Sequence, residues 1–141
     1  MKRFQKDSLW VEVCADRAEL GRRAGEAAAE TIRAAIAERG EARVIFAAAP
    51  SQNETLATLV AAPDVDWTKV VALHMDEYIG LPVGSTARFS YYLKTHCFDA
   101  LPFKAIYYID EQTGADVDAM NRLFLRLRRC LCGNPIILFL L

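Results

Sequence analysis

The chain has 141 residues, a formal charge of −1, 53% hydrophobic and 25% charged residues. At about 150 residues per domain this is one domain, long enough to bury a core without disulfides, and its composition excludes a disordered or fibrous chain. A near-neutral molecule has no bulk attraction to nucleic acid or to an anionic membrane, so neither is expected as a partner.

The charge is unevenly spread: residues 1–118 carry 13 basic and 18 acidic groups, whereas 119–141 carry four arginines and no acid. Cys14, Cys97, Cys130 and Cys132 are too few for a disulfide scaffold, and Cys-x-Cys lacks the paired ligand sets of a zinc site. Free thiols in a reducing cytosol are expected. Mixed charge through Glu41 leaves no apolar stretch of signal-peptide length, and the apolar run 135–141 is far short of the ~20 residues that span a bilayer. The expectation is a soluble, cytoplasmic protein.

Leu9, Val11 and Val13 alternate with Trp10 and Glu12, a period-two pattern that predicts a short strand. Asp16 opens a helix with Glu19 in capping-box position, and Gly40 closes it. Within that helix Leu20, Ala24, Ala27, Ala28, Thr31 and Ala35 form a narrow small-residue face, suited to close packing against a sheet. The continuous apolar run 43–49 predicts a strand buried on both faces. Residues 50–53 break it, and 54–62 read as a helix ended by Pro63, with Ser51 and Glu54 placed for a second capping box.

Residues 69–74 predict the next strand, and Gly80, Pro82 and Gly84 mark a loop. Phe89, Tyr92, Leu93, Cys97, Ala100 and Leu101 recur at helical spacing up to Pro102. Residues 104–109 are strand-like, Val117, Met120, Phe124 and Leu127 stripe a further helix, and 135–141 suit one last strand. Strand and helix alternate throughout, which predicts an α/β fold: a three-layer αβα arrangement around a mostly parallel, Rossmann-like sheet. Ligands of such sheets sit beyond the C-terminal strand ends, so the loops 50–54, 75–84 and 110–114 are the candidate site.

The second of these loops holds Asp76 and Glu77 directly after a buried strand, beside Tyr78. A carboxylate held at a strand end and partly desolvated is a candidate general base with a raised pKa; equally, both are solvated loop acids. The first loop leads into a helix N-terminus, where backbone N–H groups favour an anion and Ser51, Asn53 and Thr55 add donors; equally, Ser51 merely caps the helix. It has neither a dinucleotide fingerprint nor a Walker motif. His74 and His96, the only histidines, offer too few ligands for a metal, so no metal site is expected and both read as structural. The arginines at 122–129 read as a solvated helix face.

The run 71–82, Val-Ala-Leu-His-Met-Asp-Glu-Tyr-Ile-Gly-Leu-Pro, resembles the Met-Asp-Glu-Tyr-x-Gly-Leu motif of glucosamine-6-phosphate deaminases, within the superfamily of glucosamine and galactosamine phosphate isomerases and 6-phosphogluconolactonases. Tyr78 and Leu81 favour the deaminase branch over the lactonase branch. The resemblance runs from about residue 10 to about residue 122. It implies aldose–ketose isomerisation and deamination of glucosamine 6-phosphate to fructose 6-phosphate and ammonia, with no cofactor and a small-molecule sugar phosphate as partner. It further implies Asp76 as the base moving a proton between C1 and C2, Glu77 as a supporting acid, and Ser51, Gln52 and Asn53 against the substrate phosphate.

The chain departs from the family twice. The family's Thr-Gly-Gly-Ser/Thr-Pro loop is here Pro50-Ser51-Gln52-Asn53-Glu54, where Glu54 repels a phosphate unless it folds back into the capping box. The family also continues past the fourth helix into a Gly-rich segment bearing ring-opening residues. The expectation is therefore an incomplete sugar-phosphate isomerase-like domain over 1–141 with an atypical, frame-shifted tail at 123–141. Turnover near background is expected, and the exposed sheet edge predicts a homo-oligomer. A non-catalytic sugar-phosphate binding module and a 6-phosphogluconolactonase-like hydrolase are the alternatives.

Overall fold

A computed structural model describes residues 2–109, 118, 122 and 137–139. The expected strand at 9–13 forms, as half of a hairpin that the sequence pattern missed: β1 (Lys2–Lys6) pairs antiparallel with β2 (Leu9–Val13), with Phe4 opposite Val11. Asp7, at φ 53°, supplies the positive φ that a tight two-residue turn requires. Leu9, Trp10 and Val13 stay at least half exposed, so the alternation here buries no full face. Arg3 lies over the Trp10 ring, and Arg23 holds Glu12 at 2.8 Å, tying the hairpin to the following helix.

Helix α1 (Arg17–Arg39) starts and stops where its end signals place it. Asp16 Oδ1 accepts from the Glu19 N–H at 2.8 Å, Glu19 Oε2 accepts from the Ala15 N–H at 2.7 Å, and Gly40 ends the helix at φ 76°. The buried stripe differs from the expected one: it is Gly21, Gly25, Ala28, Ala29, Ile32 and Ala35, while Leu20, Ala27 and Thr31 face solvent. Two glycines decide the rotation. An added Cβ on Gly21 would lie 2.2 Å from Glu54 Cβ, and one on Gly25 would lie 2.6 Å from Thr58 Cβ, so α1 meets the second helix at backbone distance.

The central sheet is parallel, in the order β5–β4–β3–β6, with β3 (Ala42–Phe46), β4 (Val70–His74), β5 (Ala105–Tyr107) and β6 (Ile137–Phe139). Strand β3 is shorter than the apolar run and alternates between buried and half-buried residues; β4 is buried along its whole length. Helix α2 (Asn53–Val60) follows a 3₁₀ turn, Pro50–Gln52, and α3 (Phe89–His96) leads into another, Phe98–Ala100. The second capping box does not form: no side chain caps α2, and Glu54 turns instead to Arg17, 2.7 Å away.

One core cluster joins Ala28, Ile32, Leu56, Leu59 and Leu93 from the helices to Val44, Phe46, Val70 and Ala72 from the sheet. Phe46 meets Phe98 edge to face at 5.2 Å. The opposite face of the sheet carries Val71, Leu73, Ile45 and Ala105. The stripe expected at Val117, Met120, Phe124 and Leu127 lies outside the described residues. Residues 118 and 122 are helical, and β6 falls within the last expected strand. No described helix is long and apolar enough to cross a membrane, and the described residues hold no cluster of three or more metal-ligating side chains.

Candidate active site

All four sheet strands run the same way, so the segments leaving β3, β4 and β5 emerge on one edge. Strand β4 delivers His74 to it. Alternation puts His74 on the face of Val70 and Ala72, where its side chain is fully buried, edge to face with Tyr108 at 6.2 Å. Its Nδ1 accepts from the Ile109 N–H at 3.4 Å, which leaves the proton on Nε2, an atom without a hydrogen-bond partner and 4.0 Å from Glu77 Oε2. Burial lowers the His74 pKa; Glu77 and Asp76 oppose that and Arg88 reinforces it. The ring is neutral at pH 7.

Asp76 and Glu77, expected as a pair, part company. Asp76 is exposed at the strand end. Glu77 turns inward, its side chain 3% exposed. Glu77 Oε1 accepts from the Tyr78 and Phe89 N–H groups at 3.0 and 2.9 Å. Its Oε2 accepts from the Ser90 N–H at 3.0 Å, the Ser90 hydroxyl at 2.5 Å and Arg88 Nε at 3.2 Å. Desolvation alone predicts a carboxylate that titrates high. Burial does push Glu77 up, but the Ser90 hydroxyl and the N–H groups of Ser90, Phe89 and Tyr78 outweigh it and hold the group at about 2.

The β3 exit loop is clamped from two sides. From α1, Arg17 donates to the Pro50 carbonyl oxygen and, through Nε, to Glu54 Oε1. From α3, the Tyr92 hydroxyl lies 2.8 Å from the Ala49 carbonyl oxygen and 2.5 Å from Asn53 Oδ1, its ring stacked on His96 at 4.1 Å. Of the expected phosphate ligands, Ser51 and Asn53 are exposed and Gln52 is buried, as is Thr55. The register Phe46↔His74, continued by the Met75 N–H donating to the Phe46 carbonyl at 3.0 Å, sets this loop beside the Asp76 loop. A cleft of about 840 Å³ lined by Glu26, Arg33, Thr58 and Asp64 lies elsewhere, between α1 and the C-terminal half of α2.

Sequence reasoning missed Arg17, Arg88, Ser90 and Tyr92. Tyr92 was visible as part of an apolar stripe, and a half-buried phenol needs a partner for its hydroxyl. Arg88 and Ser90 meet Glu77 across more than ten residues, and no local spacing records that.

No family model matches the chain. It is 34% identical over 80 residues to a glucosamine-6-phosphate deaminase of Enterococcus faecalis, covering 57% of this chain and 34% of that protein. It is 28% identical over 126 residues to a glucosamine-6-phosphate deaminase of Lactobacillus delbrueckii subsp. bulgaricus, covering 89% of this chain and 50% of that protein. The chain thus spans a third to a half of the length of these curated relatives. Among solved structures it is similar to a monomeric glucosamine-6-phosphate deaminase of the NagB superfamily, with a TM-score of 0.67 and 20% identity over 86% of this chain and 50% of that one. It is also similar to a 6-phosphogluconolactonase from Shewanella baltica, with a TM-score of 0.62 and 17% identity over 77% of this chain and 48% of that one. The parallel sheet is the Rossmann-like αβα fold of these neighbours, as the alternation of elements predicts.

Proposed function

We propose, from the premise that this chain is a homologue of glucosamine-6-phosphate deaminases, that it carries the proton-transfer half of a sugar-phosphate isomerase site with Asp76 as the base. The observation that carries this is the position of Asp76: an exposed carboxylate at the C-terminal end of β4, one residue from a backbone bond to β3 and beside the loop that opens α2. In open-chain glucosamine 6-phosphate, Asp76 takes the proton from C2 and returns it to C1 through an enediol-type intermediate. The C2 imine so formed takes up water and releases ammonia, leaving fructose 6-phosphate. No redox change occurs.

The phosphate goes to residues 51–53. The first N–H groups of α2 carry no side-chain cap there, and Ser51 and Asn53 are open to solvent. Glu77 has no place among the reacting groups, because donors occupy both its oxygens.

Calorimetric titration with glucosamine 6-phosphate and fructose 6-phosphate, paired with ammonia release, tests the proposal. Binding of both sugars to one site, weakened about 10- to 150-fold by Asn53→Ala, is expected, the loss of one polar contact to a charged group being worth about 1.5–3 kcal/mol. Asp76→Asn is expected to leave binding and remove any ammonia release. Absence of binding at millimolar sugar, or release indifferent to Asp76→Asn, would overturn it. Acidification of 6-phosphogluconolactone solutions in place of ammonia release would assign the site to hydrolysis instead.

A further inference from the structure

The Glu77 carboxylate is the most enclosed of the paired acids among the described residues, with its side chain 3% exposed against 19% for Glu41 and 36% for Glu54. An ionised carboxylate offers about four lone-pair sites. Here it receives five donors, from Tyr78, Arg88, Phe89 and Ser90, so nothing is left over for a substrate.

Its partners say what it does. Helix α3 has no capping side chain of its own, because its N-cap residue is Arg88. Glu77, a dozen residues upstream, accepts from the first two N–H groups of that helix and does the work of the cap. Between them runs a loop with little packing of its own: Gly80 and Gly84 sit at φ 85°, and Ile79 and Val83 are 76% and 82% exposed. The carboxylate is what pins both ends of this loop together. On the other side of Asp76, the Met75 N–H is bonded to the Phe46 carbonyl. Asp76 is thereby bracketed by an anchor on each neighbour.

We propose that Glu77 is a positioning residue, a latch that closes loop 78–88 onto the start of α3 and so fixes Asp76 at the strand end. The role of Asp76 rests on the function proposed above; the latch itself does not. Arg88, donating also to the Ile109 carbonyl at 3.4 Å, supplies the countercharge and joins the latch to the exit of β5, while His74 adds a neutral wall.

The test compares the unsubstituted 141-residue chain with Glu77→Gln, nearly isosteric, and with Ser90→Ala, which removes one donor and spares the rest. Backbone NMR reports amide exchange at Tyr78, Phe89 and Ser90 and the picosecond–nanosecond order of the Asp76 amide. In Glu77→Gln the three amides are expected to lose at least about tenfold more protection than Val44 and Ala72 lose, and Asp76 to lose order. Ser90→Ala is expected to shift the same four residues by less, and it decides the matter should Glu77→Gln not fold. An Asp76 amide that stays as rigid as Leu73 in both variants, or that loosens only together with the whole sheet, overturns the latch.

A second arm follows exchange of the C2 proton of glucosamine 6-phosphate into heavy water. Glu77→Gln is expected to slow it about 10²-fold, the scale of a 1 Å misplacement of a reacting group, with affinity for the sugar within about threefold. An unchanged exchange rate overturns the positioning role. If the unsubstituted chain exchanges no C2 proton, the assignment of Asp76 as base falls, and the amide measurements alone decide the latch.

Discussion

Replacing Gly25 by alanine sets two known effects against each other, and the structure says which wins. Alanine is the better helix former by about 1 kcal/mol. Its methyl group, however, would lie 2.6 Å from Thr58 Cβ and 2.8 Å from the Thr55 carbonyl oxygen, one of them backbone. Ordinary carbon contacts need about 3.5–4.0 Å, so α1 and α2 must separate by about 1 Å along their contact. Overpacking costs about 1–3 kcal/mol, and a clash with a Cβ and a backbone oxygen, neither the end of a flexible side chain, belongs in the upper part of that range, about 2–3 kcal/mol, leaving a net loss of about 1–2 kcal/mol for Gly25→Ala. The loss is larger for Gly21→Ala, whose methyl would meet Glu54 Cβ at 2.2 Å and the Glu54 backbone carbon at 2.9 Å.

At about 4 °C per kcal/mol for a chain of this size, the melting temperature should fall by about 4–8 °C in Gly25→Ala. Gly40→Ala is the control. Its cost of about 1 kcal/mol comes from a left-handed backbone at φ 76° and from no clash, since nothing lies within 4 Å. The two differ in reach: α2 begins at Asn53, so moving it is expected to weaken the sugar-phosphate binding proposed for residues 51–53, whereas Gly40→Ala is expected to leave it unchanged. Thermal and urea unfolding, with calorimetric affinity, separate the cases. A Gly25→Ala chain as stable as the original, or more so, would show that the helices have slack and that the close approach decides nothing.

Acid titration gives a second expectation. Glu77 is held at about 2 in the folded chain against an ordinary 4.5, so its contribution, about 3 kcal/mol, is complete above pH 4.5 and drains away as the pH falls towards 2. Unfolding free energy measured across that window should flatten in Glu77→Gln; an unaltered slope would contradict the assignment. Cys97 is fully buried, and burial pushes its thiol up to about 12, so peptide mapping after iodoacetamide treatment at pH 8 should find it unlabelled until denaturant is added. Tyr92→Phe removes the hydroxyl shared by the Ala49 carbonyl and Asn53. The expected cost is about 1 kcal/mol of stability and a several-fold loss of affinity for glucosamine 6-phosphate, read by calorimetry.

What the sequence made legible is what depends on near neighbours. Asp16, Glu19 and Gly40 mark the ends of α1 because caps act over three or four residues, and the run 43–49 marks the place of β3 because a central strand is mostly apolar, although the strand itself, Ala42–Phe46, is shorter than the run. The facing of α1 was not legible. Glycine carries no hydrophobicity, so a pattern search passes over Gly21 and Gly25, although they alone admit the α2 backbone. The site divides the same way. A strand-end carboxylate pair is visible in Asp76-Glu77, but whether each turns outward or inward depends on Phe89, Ser90 and Arg88, brought back by a loop whose path the sequence pattern does not record.

The same distinction bears on Glu54, an acid at the loop where a phosphate is proposed to sit. A local remedy, folding its carboxylate back onto the start of α2, would satisfy an N–H group there and take it from an incoming anion. The fold uses a distant remedy. Arg17, at the first turn of α1, takes the Glu54 carboxylate and the Pro50 carbonyl together, and the close glycine contact between α1 and α2 brings these two turns within reach. The carboxylate is thus balanced chiefly from the side, its pKa lowered by Arg17 and by its own backbone N–H, and the N-cap residue Gln52 adds no side-chain cap to α2. The anion binding proposed at residues 51–53 would therefore draw on Arg17 and on the helix crossing, and an Arg17→Met chain should lose phosphate affinity even though Arg17 need not touch the ligand.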